Sequence, residues 1–98
     1  MSKFYIKWEM NPLMIPADPK ERMKNWLSML EMVKTDLKAG VLKDWGMCSD
    51  ASGGYGFSEL SEEDLYTALI KWMPYVNFDI KAVLTVDQTI KSIKNAFK

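Results

Sequence analysis

The stretch VLKDWGMCSDASGGYGFSEL, residues 41–60, decides how the rest of the chain is interpreted. It holds two strand-like runs, Val41 to Asp50 and Tyr55 to Leu60, with a region rich in Ser, Asp and Gly where they meet. Glycine adopts the positive φ angles that tight hairpin turns need. The turn does not resemble a phosphate-binding loop, because it leads into a strand and no Lys-Ser or Lys-Thr pair follows it. The stretch therefore predicts a β-hairpin in the middle of the chain.

Alternating and helical patterns flank this hairpin on both sides. An alternating run, Lys3 to Met10, and a helical pattern, Pro19 to Ala39, precede it; a helical pattern, Glu62 to Met73, and an alternating run, Phe78 to Val86, follow it. The resulting order, β-α-β-β-α-β, is typical of the ferredoxin-like unit. We therefore predict an α+β fold in which two helices cover one face of a four-stranded antiparallel sheet.

The chain length of 98 residues indicates one domain spanning residues 1–98. Its core is expected over residues 3–86, followed by a short C-terminal helix over residues 87–97. Ile90, Ile93 and Phe97 share one face of that helix. A short helix gains most of its stability from packing, so we expect this face to dock on its own protomer or on a neighbour.

Helix boundaries are also visible in the sequence. Asp18 and Ser61 are predicted N-caps of the first and second helices, and Asp87 is the predicted N-cap of the C-terminal helix. Gly40 is placed to end the first helix in the left-handed conformation. The first helix carries one apolar stripe at helical spacing, formed by Met23, Trp26, Leu27, Leu30, Val33 and Leu37.

Composition excludes several classes of function. Thirteen basic residues balance thirteen acidic ones, so the sequence has no basic footprint and we expect no nucleic-acid partner. No apolar stretch approaches the ~20 residues that cross a membrane, and Met1-Ser2-Lys3 leads into a charged strand rather than a signal segment. The lone cysteine, Cys48, allows no internal disulfide and indicates a cytoplasmic protein. Histidine is absent, and we predict neither a metal site nor a cofactor.

The sheet face away from the helices is a candidate dimer interface. It would carry six mixed polar and apolar side chains, namely Tyr5, Lys7, Glu9, Asp79, Lys81 and Val83. This face is either solvated or packed on the same face of a second copy, and we favour a homodimer because Tyr5, Val83 and the aromatic hairpin add apolar area. The charged residues could remove a proton and stabilise an enolate, but cross-strand ion pairing is the stronger interpretation.

The other face is expected to pack large aromatic and sulfur-containing side chains. Six of them could line a cavity between the sheet and the helices: Trp8, Met10, Trp26, Trp45, Tyr66 and Trp72. A filled core is the alternative, and it is the commoner use of such residues. A cavity would suit a small planar or hydrophobic ligand. No residue of the chain is identified as catalytic from this pattern.

Five stretches also carry a family resemblance, through their order and spacing across most of residues 3–86. They are Phe4-Tyr5-Ile6-Lys7-Trp8, Asp18-Pro19-Lys20, Gly40 with Trp45-Gly46, Tyr55-Gly56-Phe57-Ser58, and Pro74-Tyr75-Val76-Asn77-Phe78-Asp79-Ile80. Together they resemble the muconolactone isomerase group of the dimeric α+β barrel superfamily. The resemblance implies a homodimer whose two sheets close into a barrel with the helices outside.

Members of that superfamily include lactone isomerases, cofactor-free monooxygenases, haem-degrading enzymes and many small proteins of unknown role. The isomerases and haem-handling members use histidine, which this chain lacks. The resemblance therefore implies the architecture and leaves the reaction open, and the chain looks more like the small proteins of unknown role.

Three hypotheses for function follow. The chain binds and isomerises or oxidises a small hydrophobic cyclic compound, it is a non-catalytic homodimeric module that binds a ligand or protein, or it is a structural dimer within a larger complex. An apolar cavity with a carboxylate or tyrosine in its wall would favour the first hypothesis, a cavity without ionisable groups the second, and a solid core the third.

Overall fold

The computed structural model describes residues 3–98; Met1 and Ser2, which the predicted domain includes, lie outside the described residues. The chain forms strands β1 (Lys3–Met10), β2 (Asp44–Met47), β3 (Gly54–Ser58) and β4 (Val76–Val83). Its helices are α1 (Pro19–Ala39), α2 (Glu62–Leu69) and α3 (Val86–Ala96), with two single 3-10 turns at Pro12–Met14 and Ile70–Trp72. The predicted α+β class is confirmed.

The four strands form one open antiparallel sheet in the order β2-β3-β1-β4. β1 is central and pairs with β4 along its whole length, from Lys3 opposite Val83 to Met10 opposite Val76. On its other side, β1 pairs with β3, where Trp8 lies opposite Gly54. The predicted four-stranded antiparallel sheet is confirmed, and the register defines two ends of the molecule, one at Lys3 and one at Met10.

The hydrophobic core lies on one face of the sheet. Phe4, Ile6 and Trp8 alternate along β1 and are buried, whereas Lys7 and Glu9 on the other face of the strand are exposed. The buried side chains of β1 form a single cluster with residues of α1, α2 and the segments next to them: Val33, Leu42, Leu65, Leu69, Trp72 and Val76. Helices α1 and α2 therefore pack on the face that carries Ile6.

Most of the predicted helix ends are confirmed. The Asp18 carboxylate accepts a hydrogen bond from the backbone N–H of Glu21, and the Ser61 hydroxyl accepts one from Asp64. Gly40 ends α1 with φ of 81°. Helix α3 differs from the expectation, because its N-cap is Thr85 rather than Asp87. The Thr85 and Gln88 side chains exchange hydrogen bonds with each other's backbone in a capping box.

Strand β2 is much shorter than the predicted run from Val41 to Asp50. At its start, the backbone N–H groups of Val41 and Leu42 donate to the Asp36 carbonyl, at 2.9 and 3.3 Å. These bonds hold the two residues against the end of α1, so pairing with β3 begins only after them. At its other end, the Cys48 N–H donates to the Gly53 carbonyl at 2.8 Å and the Cys48 carbonyl accepts from the Ala51 N–H at 2.9 Å, so the hairpin turn begins at Cys48.

Much apolar surface stays uncovered in the single chain. Within the predicted stripe of α1 only Val33 is buried, while Met23 and Leu27 are largely exposed. Helix α3 has no buried residue. The radius of gyration is 16.3 Å and the longest dimension is 60 Å, whereas a compact chain of this length has a radius of gyration of about 13 Å.

Candidate ligand cavity

A cavity of about 190 Å³ lies between the sheet and helices α1 and α2. The sheet contributes side chains from β1, β2 and β4, and the helical layer lines the opposite side with residues of α1, α2 and the 3-10 turn after α2. A dry apolar cavity of about 150 Å³ admits benzene in another protein. The space therefore suits a molecule with one ring or a small fused ring system.

Two stacked indoles form the wall on the sheet side. The rings of Trp8 and Trp45 lie 5.4 Å apart between centroids and only 11° from parallel. Strand β3 runs between their strands and places glycines opposite both, Gly54 opposite Trp8 and Gly56 opposite Trp45. Glycine leaves room for the indoles over β3, since a Cβ at Gly54 would come within 2.6 Å of the Trp8 ring. The sequence pattern GYG thus shapes this wall.

The helical side of the cavity is its open rim. Trp26 and Leu30 of α1 line the space while remaining partly exposed to solvent. The guanidinium group of Arg22 lies 5.8 Å from the centroid of the Trp26 ring, at a distance that allows a cation–π contact. A ligand would reach the cavity past these two α1 residues, next to a positive charge.

Among the described residues that line the cavity, Asp36 is the one charged side chain. Its side chain is only 10% exposed, and its carboxylate accepts a hydrogen bond of 2.9 Å from the Lys71 ammonium. Lys71 is 40% exposed, so water reaches the outer side of this ion pair. The pair ties the C-terminal part of α1 to the turn after α2, and it occupies one carboxylate oxygen.

The indole N–H of Trp8 is a second polar group beside the cavity. The side chain is only 7% exposed, and its nitrogen is covered without a hydrogen-bond partner within residues 3–98. A buried donor without an acceptor costs about 1–3 kcal/mol. Such an unpaired group is typical of a site where a ligand or water supplies the missing acceptor.

Five of the six residues expected to line a cavity lie on its wall: Trp8, Met10, Trp26, Trp45 and Trp72. The sixth, Tyr66, is 61% exposed and lies outside the wall, because it projects from α2 away from buried Leu65 and Leu69. The wall also includes side chains that the prediction did not name, among them Met29, Met47 and Phe78. Phe78 lies opposite Trp8 in the register, so strand alternation was the signal for it.

The open face of the sheet brings together the six residues predicted for a dimer interface. The register places Tyr5 opposite Lys81, Lys7 opposite Asp79, and Val83 opposite Lys3, on the side away from the core. Glu9 follows on the same face. The described residues contain three ion pairs within 4.0 Å, and none of them involves Lys7, Glu9, Asp79 or Lys81.

Two aromatic residues of β3, which belong to the aromatic hairpin expected to add apolar area, extend this face. Phe57 lies opposite Tyr5 and contacts it at 5.6 Å between ring centroids, and Tyr55 lies 6.0 Å from Phe57. The Lys3 ammonium lies 5.2 Å from the Phe57 ring. These three rings form an aromatic cluster in the centre of the open face, and the alternation of β3 alone places Tyr55 and Phe57 on one side.

The Tyr55 hydroxyl is bonded at the edge of this cluster. It donates a hydrogen bond of 3.1 Å to the Asp44 carboxylate. This bond, with a smaller contribution from burial and from the negative charge of Asp44, raises the pKa of Tyr55 above its ordinary value. Tyr55 therefore stays neutral at physiological pH and acts as a donor rather than as a base.

Within residues 3–98, no group of three or more acidic, cysteine or histidine side chains is arranged to hold a metal ion. None of the helices in the same range has both the length and the apolar character needed to cross a bilayer. No protein-family model matches the chain, and a search of curated proteins found no match to it.

Proposed function

We propose that this chain binds a small apolar, ring-containing molecule in the cavity between the sheet and helices α1 and α2. We propose further that it does so as a homodimer of ferredoxin-like subunits, of the dimeric α+β barrel type. The strand order β2-β3-β1-β4 and the element order β-α-β-β-α-β support the subunit fold. The open aromatic face supports the dimer.

The main support for the binding proposal is that aromatic side chains surround a space that no side chain fills. Four tryptophans and Phe78 surround about 190 Å³ that no side chain fills. A protein interior normally packs without large voids, and an unfilled space forfeits contact energy for the side chains around it. A ring inserted between aromatic and methionine side chains restores those contacts, as binding pockets lined in this way do.

The Asp36 carboxylate in the cavity wall meets the criterion given above for an enzyme, but the hydrogen bonding of the polar groups favours binding over catalysis. A proton-transfer reaction would fall to Asp36, since no other described acidic side chain lines the cavity. That carboxylate is already bonded to Lys71. The Trp8 indole N–H, in contrast, lacks a partner. A ligand with an acceptor on its edge, such as a ring hydroxyl or carbonyl, would pair with this N–H after a small tilt of the indole.

Cavity filling provides the test. Ala68 of α2 lines the cavity and is half-buried, so Ala68→Phe would place a ring in the space where the ligand binds. We expect 1-naphthol, a two-ring probe with an oxygen on its edge, to quench tryptophan fluorescence of the wild-type chain. The affinity of the Ala68→Phe variant for 1-naphthol should fall about tenfold or more, because the probe and the new ring compete for one space.

The matched control is Thr67→Phe, which adds the same ring at the neighbouring, exposed position of α2. This variant should bind 1-naphthol like the wild-type chain, and circular dichroism should show both variants folded. Equal affinity in folded Ala68→Phe and wild-type chains would contradict the cavity assignment, and so would the absence of any binding of 1-naphthol to the wild-type chain.

A further inference from the structure

Helix α3 carries an apolar stripe that is not buried within the single chain. Val86, Ile90, Ile93 and Phe97 lie along one side of the helix at spacings of three and four residues. All four are exposed, and Phe97 is 85% exposed. An 11-residue helix is marginal in water without packing, yet α3 has a complete capping box at its start. The apolar stripe is therefore the part of α3 that needs a partner.

The fold holds α3 away from its own core. Two residues, Leu84 and Thr85, separate the end of β4 from the start of α3, and the cap at Thr85 determines the direction of the helix. Since Val83 lies opposite Lys3, α3 leaves from the Lys3 end of the sheet. Helix α3 is about 16 Å long, and the elongated shape of the chain agrees with a projecting helix.

An exposed apolar patch lies at the opposite end of the sheet. Asn11, next to Met10, bonds through its backbone to Tyr75 and through its side chain to Pro74, each at 2.9 Å. These bonds hold the segment after β1 beside the segment before β4. We call the exposed apolar residues of the two segments the end patch: Leu13, Met14, Met73 and Tyr75. Leu13 is 91% exposed.

We propose that α3 is an exchanged arm, whose apolar stripe covers the end patch of a second copy of this chain. The proposal rests on the homodimer proposed above and adds the contact between α3 and the end patch that would stabilise it. When two sheets stack with their β1 strands antiparallel, the Lys3 end of each copy lies over the Met10 end of the other. Each arm then reaches the end patch of its partner in one closed, two-fold interface.

The charge pattern of the open sheet face favours a second copy of this chain over a different protein as the partner. Lys7 and Lys81 alternate with Glu9 and Asp79 on that face, so it carries equal numbers of basic and acidic groups beside the aromatic cluster. Because the face has no net charge, a second copy of it meets no net electrostatic repulsion. A stable interface needs roughly 800 Å² per partner, and the arm and end patch would add to the area that the sheet face contributes.

Charge substitution on the two sides of α3 tests the arm. Light scattering after size exclusion should give the wild-type chain a mass of about twice 11.3 kDa. Phe97→Glu should raise the dissociation constant of this dimer about 100-fold, because it would bury a charge in the end patch. The matched control Asn95→Glu alters the opposite side of α3 and should leave the dimer intact. A monomeric wild-type chain, or equal dimers in both variants, would overturn the proposal.

Cross-linking identifies what the arm touches. In a Cys48→Ser background, chains carrying Leu13→Cys are mixed with chains carrying Phe97→Cys and oxidised. The proposal predicts a disulfide between the two kinds of chain and little between chains of one kind. Replacing Phe97→Cys by Asn95→Cys should abolish it. If Phe97→Cys chains instead link mainly to each other, α3 pairs with α3 and the proposed contact is wrong.

The same samples separate this proposal from ligand binding. Phe97 does not line the cavity. If Phe97→Glu chains are monomeric and still bind 1-naphthol, the arm is supported and the cavity proposal stands on its own. If the wild-type chain dimerises through α3 but binds no 1-naphthol, the arm is supported and the proposed ligand function is contradicted.

Discussion

Gly54 and Gly56 are two residues apart on β3, but their surroundings differ. A Cβ built at Gly54 would come within 2.6 Å of the Trp8 ring and would also meet the backbone carbonyl of Gly46. A Cβ built at Gly56 would make ordinary contacts of 3.6 Å or more. The close approach to the backbone therefore occurs at Gly54, and the register at Gly56 is regular, without a bulge.

We expect Gly54→Ala to lower the free energy of unfolding by about 2 kcal/mol or more, because the methyl group displaces Trp8 from its stack on Trp45. Gly56→Ala is the matched control and should change stability by less than about 1 kcal/mol. Urea unfolding followed by tryptophan fluorescence measures both variants. Equal losses in the two variants would show that Trp8 does not depend on the missing side chain at Gly54.

At the scale of elements, Ser58 joins parts of the fold that the hairpin alone would not hold. It is the last residue of β3 and is fully buried. Its hydroxyl donates a hydrogen bond of 2.8 Å to the Val41 carbonyl and accepts one from the Leu60 N–H at 3.3 Å. One side chain thus links the connection between α1 and β2 to the segment that leads into α2.

Ser58→Ala should destabilise the chain by about 1–3 kcal/mol, because the Val41 carbonyl and the Leu60 N–H each lose a partner. Thermal unfolding by circular dichroism measures the effect. Ser52→Ala removes the same hydroxyl at an exposed turn, where it bonds only to Asp50, and should have little effect. If the Ser58 variant melts like wild type, water replaces its hydrogen bonds and the link between elements is unimportant.

At the scale of the whole molecule, the aromatic cluster on the open face connects fold and assembly. Phe57→Glu places a charge in its centre, and we expect a monomer in light scattering after size exclusion, because two buried charges would face each other across a two-fold axis. Tyr66→Glu is the control, since Tyr66 is an exposed aromatic residue on α2 rather than on the sheet face. A Phe57→Glu variant that remains dimeric would contradict a face-to-face dimer.

Aromatic side chains on the open face of a four-stranded sheet also serve as platforms on which the bases of single-stranded nucleic acid stack. The balanced charge of this face argues for a second copy instead. A wild-type chain that stays monomeric and binds oligouridylate, with weaker binding in the Phe57→Glu variant, would reverse this assignment and the expectation that no nucleic acid binds.

The sequence by itself determined the element order, the helix caps at Asp18 and Ser61, the left-handed end at Gly40 and the two faces of β1. These features depend on residues adjacent in the chain or repeating at the period of a strand or helix, so local chemistry specifies them. It also suggested the aromatic residues of the cavity. The sequence-based prediction was wrong for Tyr66, which lies outside the cavity wall, and it did not identify the exposed part of the α1 stripe. Helical periodicity does not show how much of an apolar stripe the sheet covers.

Only the tertiary structure decided that the space among the tryptophans is unfilled, that Asp36 bonds to Lys71, and that α3 and the end patch lie at opposite ends. Each of these depends on distances between residues far apart in the chain, which the strand register and the packing of helices on the sheet set together. Local patterns carry no information on the volume left between layers or on the direction of a projecting helix. The cavity and the direction of α3 are therefore properties of the fold, and the alternation and caps are properties of the sequence.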